Sequence, residues 1–213
     1  MYIQVSTTLF ILSVIIVWFC LHYDEQKAQK SGQEGEQVVS KSLKDMGFTV
    51  FDDVLFNIGG RSVQVDHIAL SGHGVYIVET KNHHGNIEGS VYDKVWYQTI
   101  YGKTYTFYNP IWQNYGHIRA VCSLLGLAKD QVKGVVVFAS NPGLFLNKGR
   151  DLIVTANELS VLGEDFGVRL SEQQMSELGC RITELNQNGR KAMKNHIKQL
   201  EKSNIFVKRE RIL

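Results

Sequence analysis

Three apolar-rich extended stretches follow one another with almost no chain between them: Phe48–Phe56, Ser62–Leu70 and Val75–Asn82. Asn57-Ile-Gly-Gly60 and Ser71-Gly-His-Gly74 supply the turns that separate them. Ahead of the strands, Ser31-Gly-Gln-Glu34 fits a capping box and predicts a helix to about Met46, stopped by Gly47. Behind them, Ile87–Tyr108 reads as irregular short strands. Asn109-Pro110 then opens a helix to about Leu125. Lys133–Ser140 reads as a buried strand through its Val-Val-Val-Phe run, and Asp151–Thr155 as another. Asn157 is placed to cap a short helix, and from Ser171 the pattern is helical with a break near Gly189. No internal repeat interrupts this order. Helix, three strands, helix, strand predicts one α/β sandwich around a mixed sheet.

The N-terminal segment is of another kind. From Ile3 to Leu21 there is no Asp, Glu, Lys, Arg or His. As a helix, those residues span about 29 Å at 1.5 Å each, close to the hydrocarbon thickness of a bilayer. A cleaved signal peptide fits less well, because no basic n-region precedes the segment and Phe19-Cys20-Leu21 offers no small-residue cleavage site. Residues 1–23 are therefore expected to anchor the chain in a membrane, and 24–30 to form a polar connector. Lys27, Lys30, Lys41 and Lys44 follow the span and no Lys or Arg precedes it. The positive-inside bias then puts the N-terminus outside and the body in the cytoplasm, as a single-pass protein of the cell or inner membrane.

Two prolines and 44% hydrophobic residues exclude a Pro-rich linker or a disordered chain. The net charge of +2 points to no partner. Cys20, Cys122 and Cys180 form no CxxC pair, which argues against a disulfide framework or a cysteine zinc site. They read as isolated thiols, two of them in the core.

The chemistry concentrates on two of the strands. If residues 71–74 are a hairpin loop, Leu70 pairs with Val75, which sets Asp66 opposite Glu79 and Gln64 opposite Lys81, all four on one face. Two facing carboxylates among apolar residues repel and are costly to desolvate. A divalent cation relieves both costs, and Mg²⁺ is the expected cofactor, with Mn²⁺ as a substitute. Such a pair beside a lysine suits phosphodiester hydrolysis: the metal activates water, while Lys81 orients it, deprotonates it or stabilises charge. The alternative is an exposed cross-strand ion pair, since the D-x12-E-x-K spacing arises about once per chain by chance. Glu36 tilts the balance. It shares a helical stripe with Val39, Leu43 and Met46, where a carboxylate is unusual unless paired or metal-bound. Gly32 and Gly35 would let that helix approach a neighbour closely. A helix-terminus charge is the other explanation of Glu36.

Gly32-x-x-Gly-Glu36, Gln64-Val-Asp-His-Ile68, Val78-Glu-Thr-Lys-Asn82 with Gly85, Trp96, and Asn109-Pro-x-x-Gln113 occur in this order. Together they resemble the nuclease-related domain (NERD) family of the PD-(D/E)xK, restriction-endonuclease-like superfamily, over roughly residues 30–145. The resemblance implies an αβββαβ core and Mg²⁺-dependent cleavage of DNA. It maps the metal acids to Asp66 and Glu79, the catalytic lysine to Lys81, the helix acid to Glu36 and an accessory polar residue to Gln113. The carbonyl of Thr80 would be a third metal ligand. Val65 stands where the motif's proline would be. On this reading 31–155 is the nuclease-like domain and 156–213 a helical, basic extension. A non-catalytic, membrane-tethered module that binds nucleic acid or a partner is the alternative function.

His67, His83, His84 and His117 match no zinc spacing and read as solvated or hydrogen-bonded. Trp96, Tyr97, Tyr101, Tyr105, Tyr108, Trp112 and Tyr115, with Lys94 and Lys103, offer either a base-stacking surface or packing over a sheet edge. Residues 190–211 hold eight basic residues (Arg190, Lys191, Lys194, Lys198, Lys202, Lys208, Arg209, Arg211) against Glu201 and Glu210, a local +6 that leaves the rest at −4. That asymmetry suits contact with phosphates or anionic lipid; a solvated helix face is the alternative.

Overall fold

The computed structural model describes residues 26–163 and 169–187. The expected membrane span, the break near Gly189 and the basic stretch 190–211 lie outside the described residues. Among the described residues no helix is long and apolar enough to cross a membrane.

The first helix, α1, covers residues 26–45 and buries Val39 and Leu43 completely. It ends as expected at Gly47, whose φ of +87° suits glycine. Its start is earlier than expected. Residues 26–30 are good helix formers and join the helix instead of forming a connector. Ser31 is therefore an interior position, and its carbonyl and Oγ accept from Asn82 Nδ2 at 2.8 and 3.2 Å.

Strands β1 (Thr49–Ile58), β2 (Arg61–Ser71) and β3 (Gly74–Lys81) form an antiparallel meander. Helix α2 (Pro110–Leu125) carries the chain to β7 (Val132–Phe138), parallel to β3, and β9 (Leu152–Thr155) adds a further parallel strand. The central sheet has the order β1-β2-β3-β7-β9 and is mixed, and the chain has the expected α/β organisation. The β2–β3 register is the expected one, with Leu70 against Val75, but Ser71 also pairs with Gly74, so the loop is only Gly72-His73.

Ile87–Tyr108 is more regular than its sequence suggests. Strands β4 (Asn86–Ser90), β5 (Val95–Ile100) and β6 (Lys103–Tyr108) form a second sheet, which β8 (Gly143–Asn147) joins parallel to β4. The β5–β6 hairpin closes through Tyr101 and Gly102 at φ +48° and +72°, the left-handed pair that matches strand twist. A tyrosine at such a position gives no turn signal in the sequence.

Three apolar layers hold these elements together. One face of the central sheet packs Val54, Ile68, Leu70 and Ile77 against Ile118, Val121 and Leu125 of α2 and Ile182 of α3 (Glu172–Leu185). The other face packs Tyr76, Val78, Val135 and Val137 against Val39 and Leu43. Ile87 and Trp96 of the second sheet meet Ile111, Val136 and Phe138. Asn109 caps α2 through Ile111 N at 2.9 Å and is fully buried. The residues after β9 form a 3-10 turn, Ala156–Gly163. Its start is held by Glu158, which accepts from Thr155 N at 2.8 Å, so Asn157 is not the cap. Cys122 is half-buried and Cys180 exposed, so the expectation of two core thiols does not hold.

Candidate active site

The close approach of α1 to the end of β3 rests on one glycine. A Cβ on Gly35 would stand 2.7 Å from Asn82 Cβ and 3.3 Å from Ala139 Cβ, whereas one on Gly32 would meet nothing within 4 Å. Only Gly35 thus has the role expected of both. Gly35→Ala is expected to lower stability by about 1–3 kcal/mol through overpacking. Gly32→Ala, which gains helix propensity, should raise it by about 0.5–1 kcal/mol. Thermal melts of the two variants check the opposite signs.

The approach brings Glu36 to the cleft that Asp66 of β2 lines. With Asp66, Asp53 and His67, it lines this cleft of about 520 Å³, whose α1 wall carries Gln33, Gln37, Lys41 and Lys44. Regular pairing of β2 with β3 ends at His67 opposite Val78, one step short of Asp66 and Glu79. In the β1–β2 ladder Asp52–His67 and Val54–Val65 pair, while the step between them, Asp53 with Asp66, does not. Asp53 there takes φ +51°, a costly backbone conformation outside glycine. Both strands change phase at this step: Val65 shares a core layer with Ile68, and Val54 with Phe51.

The expected single face therefore breaks at Asp66. Its Oδ2 accepts from the backbone N–H of Thr80 at 2.8 Å, replacing a ladder bond. Gln64, expected opposite Lys81, donates to Asp53 instead.

Glu79 and Lys81 face α2. Lys81 Nζ donates to Glu79 Oε1 at 2.5 Å and to Gln113 Oε1 at 3.2 Å. Glu79 is buried, and its Oε2 lies 3.1 Å from His117 Nε2. An ionised carboxylate only accepts, so Nε2 is the protonated nitrogen of that ring. Burial alone would push Glu79 up; the charge of Lys81 and the hydrogen bond from His117 outweigh it and hold the carboxyl below its usual range. Burial opposes the charge on Lys81, but Glu79 and Asp66 keep its pKa above the ordinary value.

Asp66 goes the other way. Burial and then the charge of Glu79 push it up to about 7, against the lowering effects of Lys81 and the Thr80 N–H. Glu36 is likewise raised, chiefly by burial. Charge at this site is thus unevenly neutralised: Glu79 has two partners, while Asp66 ionises at a cost. A small, hard cation held by carboxylate oxygens would remove that cost.

Among the described residues no three His, Cys, Asp or Glu side chains gather as a ready ligand cage. Asp66 and Glu79, with the carbonyl of Thr80, the residue after Glu79 in β3, fit the sparser set that Mg²⁺ takes, one or two carboxylates and retained waters.

Two histidines dismissed as metal ligands turn out to brace this site. His67 Nε2 lies 3.1 Å from Thr80 Oγ1 and its Nδ1 lies 2.8 Å from Asp52 Oδ1. Asp52 in turn accepts from Ser40 Oγ at 2.8 Å and Lys44 Nζ at 2.6 Å of α1. Burial raises Asp52, but these hydrogen bonds more than offset it and hold the carboxyl far below the usual range. His117 stands four residues after Gln113 in α2, one helical turn along the same face, a signal the sequence offered. The His83 ring lies 4.4 Å from that of Phe107 at a tilt of 42°, and burial pushes its pKa down to about 4, so it meets the surroundings uncharged.

The family model of the nuclease-related domain matches residues 31–139, just over half of the chain. The chain belongs to the nuclease-related domain (NERD) family. Every residue placed at the site, from Glu36 to His117, lies inside the matched NERD segment. A Bacillus anthracis protein described as uncharacterized is 28% identical over 187 residues, covering 83% of this chain and 86% of that protein. A crystal structure of a protein of unknown function is similar at 13% identity with a TM-score of 0.36, covering 78% of this chain and 94% of that one. Within the NERD segment the remaining motif residues have structural duties. Gly85, at φ +81°, would set a Cβ 2.2 Å from Thr99 O, and Trp96 is fully buried with Nε1 donating to Ser90 O at 2.8 Å.

Proposed function

We propose that this chain is a membrane-anchored nuclease of restriction-endonuclease-like fold that hydrolyses phosphodiester bonds of nucleic acid, DNA in the first place, with Mg²⁺. The observation that carries this reading is the geometry at the ends of β2 and β3: buried Glu79 is bonded by Lys81 and His117, and beside it Asp66 is held by the Thr80 N–H. A pure binding surface has no use for buried carboxylates facing phosphate, which argues for the enzyme over the tethered binding module. Held by Asp66, Glu79 and the Thr80 carbonyl, Mg²⁺ (or Mn²⁺) would supply Lewis-acid activation of water and neutralise charge at the phosphate.

The chain's own groups do the rest. Lys81 is held charged, so it serves by donating hydrogen bonds to the attacking water and to the phosphate oxygens, and not as a general base. Gln113 fixes the position of Nζ, and His117 fixes the Glu79 carboxylate. His67 braces the Thr80 hydroxyl and so orients the peptide whose N–H holds Asp66. Glu36 adds a third carboxylate to the cleft, where it would contribute negative charge toward a bound cation.

Isothermal titration with Mg²⁺ and Mn²⁺ tests the site. Saturable binding to the wild-type chain, lost in Asp66→Asn, is the expected result; absence of metal-dependent heat in the wild type would contradict it. Residues 1–23 are proposed as the anchor, with the body cytoplasmic, and residues 190–211 as a contact for anionic lipid or phosphate. Protease added to sealed inside-out vesicles should digest the body and spare it in right-side-out ones; the reverse pattern would overturn the orientation.

A further inference from the structure

Helix α2 has a second exposed face that lines a groove. Gln113 and His117 turn toward Lys81 and Glu79, whereas Trp112, Tyr115, Arg119 and Cys122 follow the 3-4-3 spacing of a different stripe. With Tyr108 and Lys129, that stripe lines a groove of about 600 Å³. A hollow of about 300 Å³ continues it, sharing Tyr115 and Lys129 and adding Lys133 and Arg150.

The composition of the groove is specific. Tyr108 and Tyr115 are 47% and 40% exposed, and the Tyr108 and Trp112 rings meet edge-on at 6.3 Å. Lys129 Nζ stands 6.0 Å from the centre of the Tyr115 ring. Arg119, Lys129 and Arg150 have no carboxylate partner among the described residues. The one carboxylate in the lining, Asp151, is engaged by the Tyr115 hydroxyl at 2.6 Å. Exposed rings interleaved with unpaired cations match a ligand that has flat aromatic units joined by phosphates. Duplex nucleic acid keeps its base faces inside the stack, while an unpaired strand presents them. Trp112 in this groove is next in sequence to Gln113, which holds Lys81, so both faces belong to the same turn of α2.

We propose that this groove binds an unpaired nucleic-acid strand, bases stacked on the Trp112–Tyr115 side and phosphates paired with Arg119, Lys129 and Arg150. The enzyme's substrate would then contain a single-stranded segment. This rests on the nuclease reading, so the test is made in EDTA, where binding is read without cleavage.

The probe is a fluorescein-labelled oligothymidine, its anisotropy followed with the 213-residue chain in detergent across a salt series. Arg119→Gln/Lys129→Gln is expected to bind at least tenfold more weakly, with a log–log salt slope shallower by about 1.4, because each phosphate contact on a single strand contributes about 0.7. Tyr115→Ser should cost at least fivefold. A duplex of the same length should show neither dependence, and polyphosphate of equal charge should compete poorly. Thymidine monophosphate should need at least a hundredfold higher concentration to compete. Wild-type affinity and slope in the double variant would overturn the proposal, as would equal competition by polyphosphate, by the mononucleotide or by the duplex. Groove-dependent binding by a chain that cleaves nothing in Mg²⁺ would instead leave the groove standing and remove the nuclease reading.

Discussion

Asp66→Asn is expected to abolish metal-dependent cleavage and, at the same time, to make the metal-free protein more stable. The loss should reach roughly three orders of magnitude, because a metal ligand supplies several kcal/mol to the transition state. The gain follows from the ionisation cost at this position. Asp66 has its folded-state pKa raised from 3.8 to about 7 by burial and by Glu79. A raised value means that the folded state holds the proton more tightly than the unfolded one. The stability due to that proton is fully present below about pH 3.8 and is lost as pH rises through about 7.

Asparagine never ionises and still offers an oxygen to Thr80 N–H, so it escapes that loss. At pH 8 in EDTA the variant should be more stable by on the order of 2 kcal/mol, roughly 4–8 °C in Tm, and the gap should close as pH falls to 4. Adding Mg²⁺ should raise the melting temperature of the wild type and leave that of the variant unchanged. Melts at three pH values with and without Mg²⁺ check all of this. A destabilised variant at pH 8 would mean that Asp66 is held ionised by something other than a missing cation.

Asn109→Ala should have the largest effect on stability. The side chain is fully buried, caps α2 through Ile111 N, and donates from Nδ2 to Ser90 O at 3.2 Å and Asp93 O at 2.7 Å. Removing it leaves the helix uncapped and Asp93 O without that donor, while Ser90 O keeps the Trp96 indole. A lost cap costs about 1 kcal/mol, and each of the two lost hydrogen bonds from Nδ2 about 0.5–1.5. A total of about 3 kcal/mol corresponds to roughly a 10 °C fall in Tm. The consequence reaches the site, because Gln113 lies in the first turn that Asn109 organises, and its backbone N–H donates to Asn109 O at 3.2 Å. Calorimetry checks the melting temperature; a change under 2 °C would mean that Pro110 and the packing of Ile111 hold the helix start alone.

The sequence was most informative where local rules and burial agreed. The span of α2 was legible because Asn-Pro at its start and Gly126, at φ +69° beyond its end, are both backbone signals. The β2–β3 register followed from placing the turn at residues 71–74, which sets Leu70 against Val75. The face assignment failed at Asp66 because the phase change depends on Asp53 adopting a left-handed conformation, which no neighbouring residue announces. The second sheet was obscured for a related reason: its hairpin turns on a left-handed tyrosine, and β8 joins it from 53 positions past Ser90, at Gly143. Bracing by His67 needed tertiary information, since its partners come from β1, β3 and, through Asp52, from α1. Tyr97, Tyr101, Tyr105, Tyr108 and Tyr115 are exposed while Trp96 is buried, so the aromatic stretch serves packing and surface at once.

Asp66, Glu79 and Lys81 are proposed to form a metal-dependent phosphodiesterase. The most direct test incubates the 213-residue chain with labelled single- and double-stranded DNA and RNA in Mg²⁺, Mn²⁺ or EDTA, beside Asp66→Asn and Lys81→Ala. Because Lys81 neutralises buried Glu79, its variant is assayed at a temperature where circular dichroism shows it folded. Cleavage by the wild type in either metal, none in EDTA and none by either variant is the expected result. A folded, metal-binding wild type that cleaves no substrate, or cleavage that persists in Lys81→Ala, would contradict it.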